Sequence, residues 1–533
     1  MPLQKALREF VLVGAADTPA DVPQIADPRF GITDGGKART LRRTWLDTFD
    51  WRLYLAGLTL ELRTGRGTAE LVLTARDGEL IAAERTGGST SAGSASGSAD
   101  GRPHWPCLAG ELSLGPLREH LTPVIGVRAL LPVARATSVL IERRAVNADD
   151  KTIATLTLDR MTVTYPRSGP APARLTVSAL RGYQAQASRL TDALTAAPGV
   201  VAAAAPAFES ALAAAGRKPG DYTSKIDVQL TGSMPAALAL VTVLGRLFDT
   251  VEANLSGTIR DVDTEFLHDL RVAVRRTRSV LKTAGSILPA SLASRYRPEF
   301  KWLGDLTTPT RDLDVYLLGY SSMAGKLVAA TAEELQPFRD HLGRQHSLAQ
   351  RELARGLRSA RFARLTSQWR EDLAQIAAAP PRRPPVGRLA ARQIARAHRR
   401  VISDGKAITA TSPPGSLHEL RKRCKELRYL LEIFASLHDP AEQWQAVNEL
   451  KALQDCLGEF QDTEVQQAEL RDFAAQMMAD RSAPAATLLA MGEIAAALAI
   501  RQRRARSEFG GRFAEFASPQ GLARIGALTR VVA

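Results

Sequence analysis

The rhythm of hydrophobic and polar positions changes near Pro235. Before it, short runs alternate apolar and polar residues: Phe10–Val13, Leu58–Arg63, Ala69–Leu73, Val127–Leu131, Ser138–Ile141, Ile153–Leu158 and Met161–Tyr165. A period of two turns one face of a strand inward and the other outward. Turn residues separate the runs, which predicts an antiparallel β domain over 1–200, with a Gly/Ser-rich loop near 87–101 and a closing helix at Gln184–Ala197. Residues 201–234 read as a Pro/Gly-punctuated connector with a short helix at Phe208–Ala215. From Pro235 to about Phe516 the period becomes 3.6, predicting long amphipathic helices. Breaks are expected near Pro289, Pro309, Pro413–Gly415, Pro440 and Pro484. A PPRRPP run divides the helical region into bundles over 235–379 and 387–520, with a link at 380–386 and a tail at 521–533.

Within the helical region one pattern occurs twice. His268, Arg271, Arg275 and Arg278 are matched by His418, Arg421, Lys425 and Arg428, 150 residues later. The 3-4-3 spacing puts each set on one face of a helix. An apolar stripe runs one residue ahead: Leu267, Leu270, Val274 and Leu281, then Leu417, Leu420, Cys424, Leu427 and Leu431. One residue is about 100° of rotation, so the basic seam flanks the buried seam instead of opposing it. The same shift superposes Arg246 on Arg396, Lys301 on Lys451, Asp305 on Asp455, Asp312 on Asp462, Asp314 on Glu464 and Arg351 on Arg501. The set argues for two homologous helical bundles in tandem, each of roughly four helices.

Charge sharpens this picture. The 533 residues carry a net charge of +14. Residues 251–533 hold 42 Lys+Arg against 32 Asp+Glu, so most of the excess lies in the helical region. A chain of that sign attracts polyanions. Two basic helices facing each other would line a groove, and phosphate is the leading ligand chemistry. The three cysteines lack metal-ligand spacing, and no metal, cofactor or catalytic residue is expected. Aromatics at 5% give little support for base stacking. No secretory signal and no stretch of about 20 apolar residues is seen, so a cytoplasmic protein without a membrane span is expected.

The helices LHDLRVAVRRTRSVL (Leu267–Leu281) and LHELRKRCKELRYLL (Leu417–Leu431) resemble the signature of CHAD domains, the conserved histidine α-helical domains. WLGDLTTPTRDLDV and ALQDCLGEFQDTEV resemble that family's second recurring element. The resemblance covers about Pro235 to Phe516 and implies two pseudo-symmetric four-helix bundles around a basic cavity for inorganic polyphosphate. RRTWLDTFDWRLYLAGLTLELR (Arg42–Arg63) in turn resembles CYTH domains, the triphosphate tunnel fold, and implies a β-barrel. Aligned by Phe10, however, the Glu-x-Glu-x-Lys hallmark of that family falls on Lys5, Leu7 and Glu9, and Glu61 stands where an arginine is usual, though Arg63 fits. Without those carboxylates a hard Mg²⁺ ion lacks its oxygen ligands, so a degenerate, non-catalytic tunnel is expected.

The expectation is therefore an α+β multidomain chain: a CYTH-like antiparallel β-barrel followed by an all-α pair of bundles. Its groove binds inorganic polyphosphate through His268, Arg271, Arg275, Arg278, His418, Arg421, Lys425 and Arg428. Second-tier basic contacts are Arg246, Arg276, Lys282, Lys301, Arg396, Arg399, Arg400, Lys422, Arg423, Lys451, Arg501 and Arg504. Location on polyphosphate granules and contact with granule proteins would follow. Three alternatives stand beside it. One is a triphosphatase in the N-terminal tunnel. The second is a general polyanion binder that holds nucleic acid only non-specifically. In the third, the arginines form an internal network with Asp305, Asp312, Asp314, Asp455, Asp462 and Glu464. His268 and His418 fit either phosphate contact or a structural cap at a helix start.

Overall fold

A computed structural model describes residues 8–13, 22–23, 25–65, 68–86, 104–285, 287–379 and 384–530. The expectations for Lys5, Leu7, the 87–101 loop, Pro380–Arg383 and the last three residues fall outside them. The chain divides into two compact units, Met1–Thr223 and Ser224–Ala533.

The first unit is one antiparallel sheet. Its strands are β1 (Arg8–Leu12), β2 (Gly31–Asp34), β3 (Arg39–Asp47), β4 (Leu58–Thr64), β5 (Ala69–Ala75), β6 (Leu80–Thr86), β7 (Leu131–Val146), β8 (Thr152–Tyr165), β9 (Gly169–Pro170), β10 (Arg174–Ala179) and β11 (Val200–Ala202). Four helices accompany them: α1 (Arg52–Leu55), α2 (Pro116–Ile125), α3 (Gln184–Thr195) and α4 (Ala207–Ala214). The order β11-β1-β10-β8-β7-β3-β4-β5-β6 is an open path, with β2 beside β7 and β9 beside β8. The expected closed barrel is thus corrected to an open sheet: among the described residues no ladder joins β6 to β11. The physical reason lies in what covers the apolar faces. Leu190 and Leu194 of α3 pack on Phe10, Leu156 and Leu175. Leu117, Leu121 and Ile125 of α2 pack on Leu60, Leu71 and Leu73. Phe208 and Leu212 of α4 pack on Trp45, Met161 and Val163. Helices bury the surface that a barrel would turn in on itself. The helix read as part of a connector is α4, and it belongs to this unit.

The second unit is all helix: α5 (Ala236–Ile259), α6 (Thr264–Thr283), α7 (Ala290–Ala324), α8 (Ala332–Leu357), α9 (Ala360–Ala378), α10 (Val386–Lys406), α11 (Pro414–Ile433), α12 (Pro440–Ala479), α13 (Ala485–Phe516) and α14 (Pro519–Ala527). Shifting α6 by 150 lands on α11 at both ends, the starts of α5 and α7 land on those of α10 and α12, and α8 and α9 precede α13 and α14 in the same order. Each repeat therefore has five helices where four were expected. Most of the prolines read as breaks sit at helix starts, where the missing N–H is harmless: Pro289 and Pro484 are N-caps, while Pro414 and Pro440 lie in first turns. Pro309 does not break α7. Tyr296, Phe300, Leu303 and Tyr316 are buried along that helix and hold it straight through.

The repeats are related by an internal pseudo-twofold. Ala236 N–H donates to the Pro384 carbonyl and Val386 N–H to the Met234 carbonyl, at 2.9 and 2.8 Å. These are the same bond under the 150-residue shift. They tie the starts of α5 and α10 together at the bridge Pro235–Pro385. One apolar core draws on both repeats, including Leu270 and Val274 of α6 and Leu420 and Leu427 of α11. A second core joins α7, α8, α12 and α13. By length and composition α13 is apolar enough to cross a membrane, a signal the sequence reading did not register. Its Met491, Ile494 and Leu498 are buried in that second core.

Candidate functional site

The basic seam sits on α6 and α11. Asp263 caps α6 by accepting from the Glu265 and Phe266 amides, at 3.0 and 3.2 Å, and so fixes where the helix begins. The stripe ahead of the seam, Leu267, Leu270, Val274 and Leu281 with Leu417, Leu420, Cys424, Leu427 and Leu431, is buried. The cations one position on are therefore lifted to the edge of the core.

Two ion pairs set how the helices meet. Arg276 pairs with Glu432 at 2.5 Å and Lys282 with Glu426 at 3.1 Å. The numbers rise along α6 and fall along α11, so the helices cross antiparallel, with the crossing centred near Ser279 and Tyr429. The shift of 150 turns one pair into the other with its charges exchanged. The C-terminal ends of both basic stripes come closest to the crossing, and the stripes diverge from it.

A cavity of about 350 Å³ opens there. His268, Asp269, Arg275 and Arg276 line it from α6, and Lys425, Arg428, Tyr429 and Glu432 line it from α11. Gln454 of α12, with Ser224 and Lys225, completes the wall. Five Lys and Arg side chains face two carboxylates. Gln454 Nε2 and Arg276 Nε are buried donors with no acceptor among the described residues, an arrangement that costs about 1–3 kcal/mol per group unless a ligand supplies one.

Partners differ along the seam. Arg271 donates to the hydroxyls of Thr307 and Thr308, both at 2.9 Å, and to the Gly304 carbonyl at 3.3 Å. Burial pushes its guanidinium below the ordinary value, against the pull of Asp312. Arg275 lies 5.5 Å from the Tyr429 ring centre. Arg278 is exposed, and its Nη1 lies 3.0 Å from where a side chain at Gly304 would begin, so glycine there gives it room. Among the described residues Arg275, Arg278 and Lys425 make no ion pair. In the second copy, Arg421 pairs with Asp462 at 2.9 Å, and Arg428 with Glu432 at 2.7 Å. Arg428 also reaches Gln454, the repeat mate of Gly304, at 3.4 Å. Burial, then the neighbouring Arg421 and Arg275, lower Lys425 to about 8. Burial and Arg311 hold His268 below the usual histidine range. His418 shares a hydrogen bond with Gln461 at 2.7 Å.

Of the second-tier residues, only Arg276 lines the cavity. Lys282 reaches Glu426 of α11, and Arg423 of α11 approaches Glu426 and Asp404. Arg246 bonds Thr250 within α5. Lys301, Lys422 and Arg504 pair within their own helices with Asp305, Glu419 and Glu508, and Arg501 of α13 pairs with Glu459 of α12. Arg396 and Arg399 are exposed on α10, Arg400 half-buried, and Lys451 exposed on α12. Of the carboxylates considered as seam partners, Asp462 takes that role, whereas Asp314 is held by His346 at 2.9 Å. Sequence reasoning missed Gln454, Asp269 and Glu432. Glu432 lies one turn after Arg428, a legible signal; Gln454 and Asp269 carried none.

The first unit treats its arginines differently. Arg43 bridges Glu61 and Asp159, Arg63 pairs with Glu61 at 2.9 Å, and Arg174 pairs with Glu9 at 2.6 Å. Glu61 is buried, and Arg43 and Arg63 hold it well below the usual carboxylate range, to about 2.

Comparison with known proteins identifies the helical unit. Residues 242–471 match the CHAD domain family. The chain carries a CHAD domain. A CHAD domain from the plant Ricinus communis is 21% identical, over 58% of this chain and 97% of that one, with a TM-score of 0.43. PptA from Streptomyces chartreusis is 18% identical, over 52% of this chain and 99% of that one, with a TM-score of 0.40. A candidate adenylate cyclase from Bacillus halodurans is 13% identical, over 31% of this chain and 87% of that one, with a TM-score of 0.21. A search of curated proteins finds no match. Within the CHAD domain, the matched span contains both basic helices and the cavity walls on α6, α11 and α12.

Proposed function

We propose that the groove between α6 and α11 binds inorganic polyphosphate, without turning it over. The supporting observation is uncompensated charge: among the described residues Arg275, Arg278 and Lys425 lack carboxylate partners, and two of them line one cavity. Lys425 is half-buried, and such a cation without a counter-ion is unfavourable until an anion arrives, while the exposed Arg275 and Arg278 are free to meet it. The buried donors of Gln454 and Arg276 need acceptors of the kind phosphate oxygens supply. The family resemblance of the two helices points to the same ligand. A linear polymer also suits two stripes that diverge from one crossing, because consecutive phosphates can follow both.

The sheet unit is read as a CYTH-related domain that performs no catalysis, with Arg43, Arg63 and Arg174 neutralised by Glu61, Asp159 and Glu9. A protein of this kind would act in the cytoplasm, at polyphosphate-rich granules, as a tether for other granule proteins. The deciding test is a polyphosphate titration at physiological salt, with duplex DNA as competitor. Tight binding that Arg275→Ala/Arg428→Ala weakens, and that DNA displaces poorly, is the expected result. Binding unchanged by those substitutions would make the seam structural. Equal competition by DNA at matched charge would make the groove a general polyanion site.

A further inference from the structure

The groove holds a primary amine that polyphosphate binding uses only as a charge. Lys425 lines the cavity beside Arg275, Arg428 and Tyr429. Lys282, Lys301 and Lys422 each hold a carboxylate, and Lys225 lines the same cavity from the start of the unit. Lys425 holds none among the described residues and is surrounded by guanidinium groups. The arrangement joins two functions in one pocket, a cradle for a phosphate and a lone pair next to it. The electrophiles that carry their own phosphate handle are mixed anhydrides of carboxylic and phosphoric acid.

We propose that Lys425 is an acylation site for small acyl phosphates, with Arg275 and Arg428 holding the donor's phosphate while its carbonyl carbon meets Nζ. The proposal rests on reading the groove as a phosphate site. The neutral amine attacks the carbonyl carbon and a nitrogen–carbon bond forms. The carbon–oxygen bond to phosphorus then breaks, and its electron pair leaves with phosphate, which stays between the two arginines. The amine's extra proton passes to that phosphate or to water. Nothing is oxidised or reduced, and the products are an amide and inorganic phosphate. Burial together with Arg421 and Arg275 brings the Lys425 ammonium down to about 8, with Arg428 adding to the effect and Asp462 opposing it. At pH 8 about half of such an amine is neutral, against well under about 1% of an ordinary lysine. The consequence is regulatory: the amide removes a positive charge from the centre of the groove and fills part of it. A polyanion would then bind less tightly.

The experiment incubates the full chain with acetyl phosphate at pH 8 and follows each lysine by peptide mass spectrometry. Lys425 is expected to acetylate roughly tenfold faster than the exposed Lys422 and Lys451, with a neutral acetyl ester as the reference for intrinsic reactivity. Inorganic phosphate should slow Lys425 and leave Lys422 and Lys451 unchanged. Arg275→Ala/Arg428→Ala should slow its reaction with acetyl phosphate more than with the neutral ester. Unfolding in urea should level all the lysines. Lys425 reacting no faster than Lys422 and Lys451 would overturn the proposal. So would a preference that persists equally with the neutral ester and ignores phosphate. Polyphosphate separates the two readings. Selective acetylation that phosphate blocks but polyphosphate does not would keep the acylation site and remove polyphosphate as the occupant.

Discussion

The two copies of the basic seam occupy the same positions on matching helices, yet they are not electrostatically equal. In the first copy Arg271 donates to threonine hydroxyls and a carbonyl, while Arg275 and Arg278 have no carboxylate among the described residues. In the second, Arg421 and Arg428 are held by Asp462 and Glu432. The difference shows that a repeat in sequence conserves where charge is placed, not what neutralises it. An arginine already paired must give up a partner to take a phosphate, and the net gain shrinks accordingly. An unpaired one loses only water. Polyphosphate should therefore be held more strongly by the α6 half of the groove, with Lys425 as the exception on α11.

The largest test compares two substitutions with two. Each charge-assisted contact to a phosphate oxygen contributes about 1.5 kcal/mol, so Arg275→Ala/Arg278→Ala should weaken polyphosphate binding on the order of a hundredfold. Arg421→Ala/Arg428→Ala should cost only roughly tenfold, because Asp462 and Glu432 are released at the same time. Titrations at one salt concentration decide this. Equal losses would show that the paired arginines swing over to the ligand without penalty.

The next effect separates Lys425 from the arginines around it. Its free-state value is about 8, and a bound phosphate would raise it. Below pH 8 the amine already carries its proton, so affinity is flat from this source. Above pH 8 binding must take up a proton, and affinity should fall by up to about tenfold per pH unit. Lys425→Arg should remove the slope, and isothermal titration in buffers of different ionisation enthalpy should show the proton uptake. Without ligand the sign reverses. Between pH 8 and the ordinary lysine value the unfolded chain holds a proton that the folded chain has released, so stability should rise with pH across that window. His268 adds a slope at the acid end. Its value is depressed by burial and Arg311, so binding should tighten as pH falls toward 6.

How much of this was legible in the sequence depends on the range of the interaction. The seam and its offset of 150 were legible because both follow from helical periodicity, and α6 and α11 match at both ends. Burial of Leu270, Val274, Leu420 and Leu427 was legible for the same reason. Sheet closure was not, since it depends on whether β6 meets β11, a choice made by helices α2, α3 and α4 covering the faces. The partners of the cations were only half legible. Asp462 could be named from its position in the repeat, whereas the Arg276–Glu432 pair crosses from one repeat to the other. The same holds for Gln454, which enters the groove on α12 with nothing in its neighbourhood to announce it.

Glu432 offers a way to move the second copy toward the first. It accepts from Arg276 at 2.5 Å and from Arg428 at 2.7 Å, and it is largely buried. Glu432→Gln would free both arginines and add one unit of positive charge to the cavity. Polyphosphate affinity should rise about fivefold, while the fold loses about 1–2 kcal/mol from the broken pair. Denaturant titration beside the binding curve checks both signs. A loss of affinity would mean that Glu432 positions the arginines instead of competing for them.

Asp462→Asn makes the same change at the surface, where it should matter least. The Asp462 side chain is 60% exposed and that of Arg421 is 19% exposed. Water and salt screen such a pair, and its worth is about 0–1 kcal/mol. Releasing Arg421 should therefore raise polyphosphate affinity only about two- to threefold and leave thermal stability unchanged. The gain should shrink further as salt is raised, because the interaction removed and the interaction gained are screened alike. If Asp462→Asn instead equals or exceeds Glu432→Gln, exposure is not what ranks these pairs. The imbalance between the two copies would then come from the register of the ligand along the seam and not from the ion pairs at its edge.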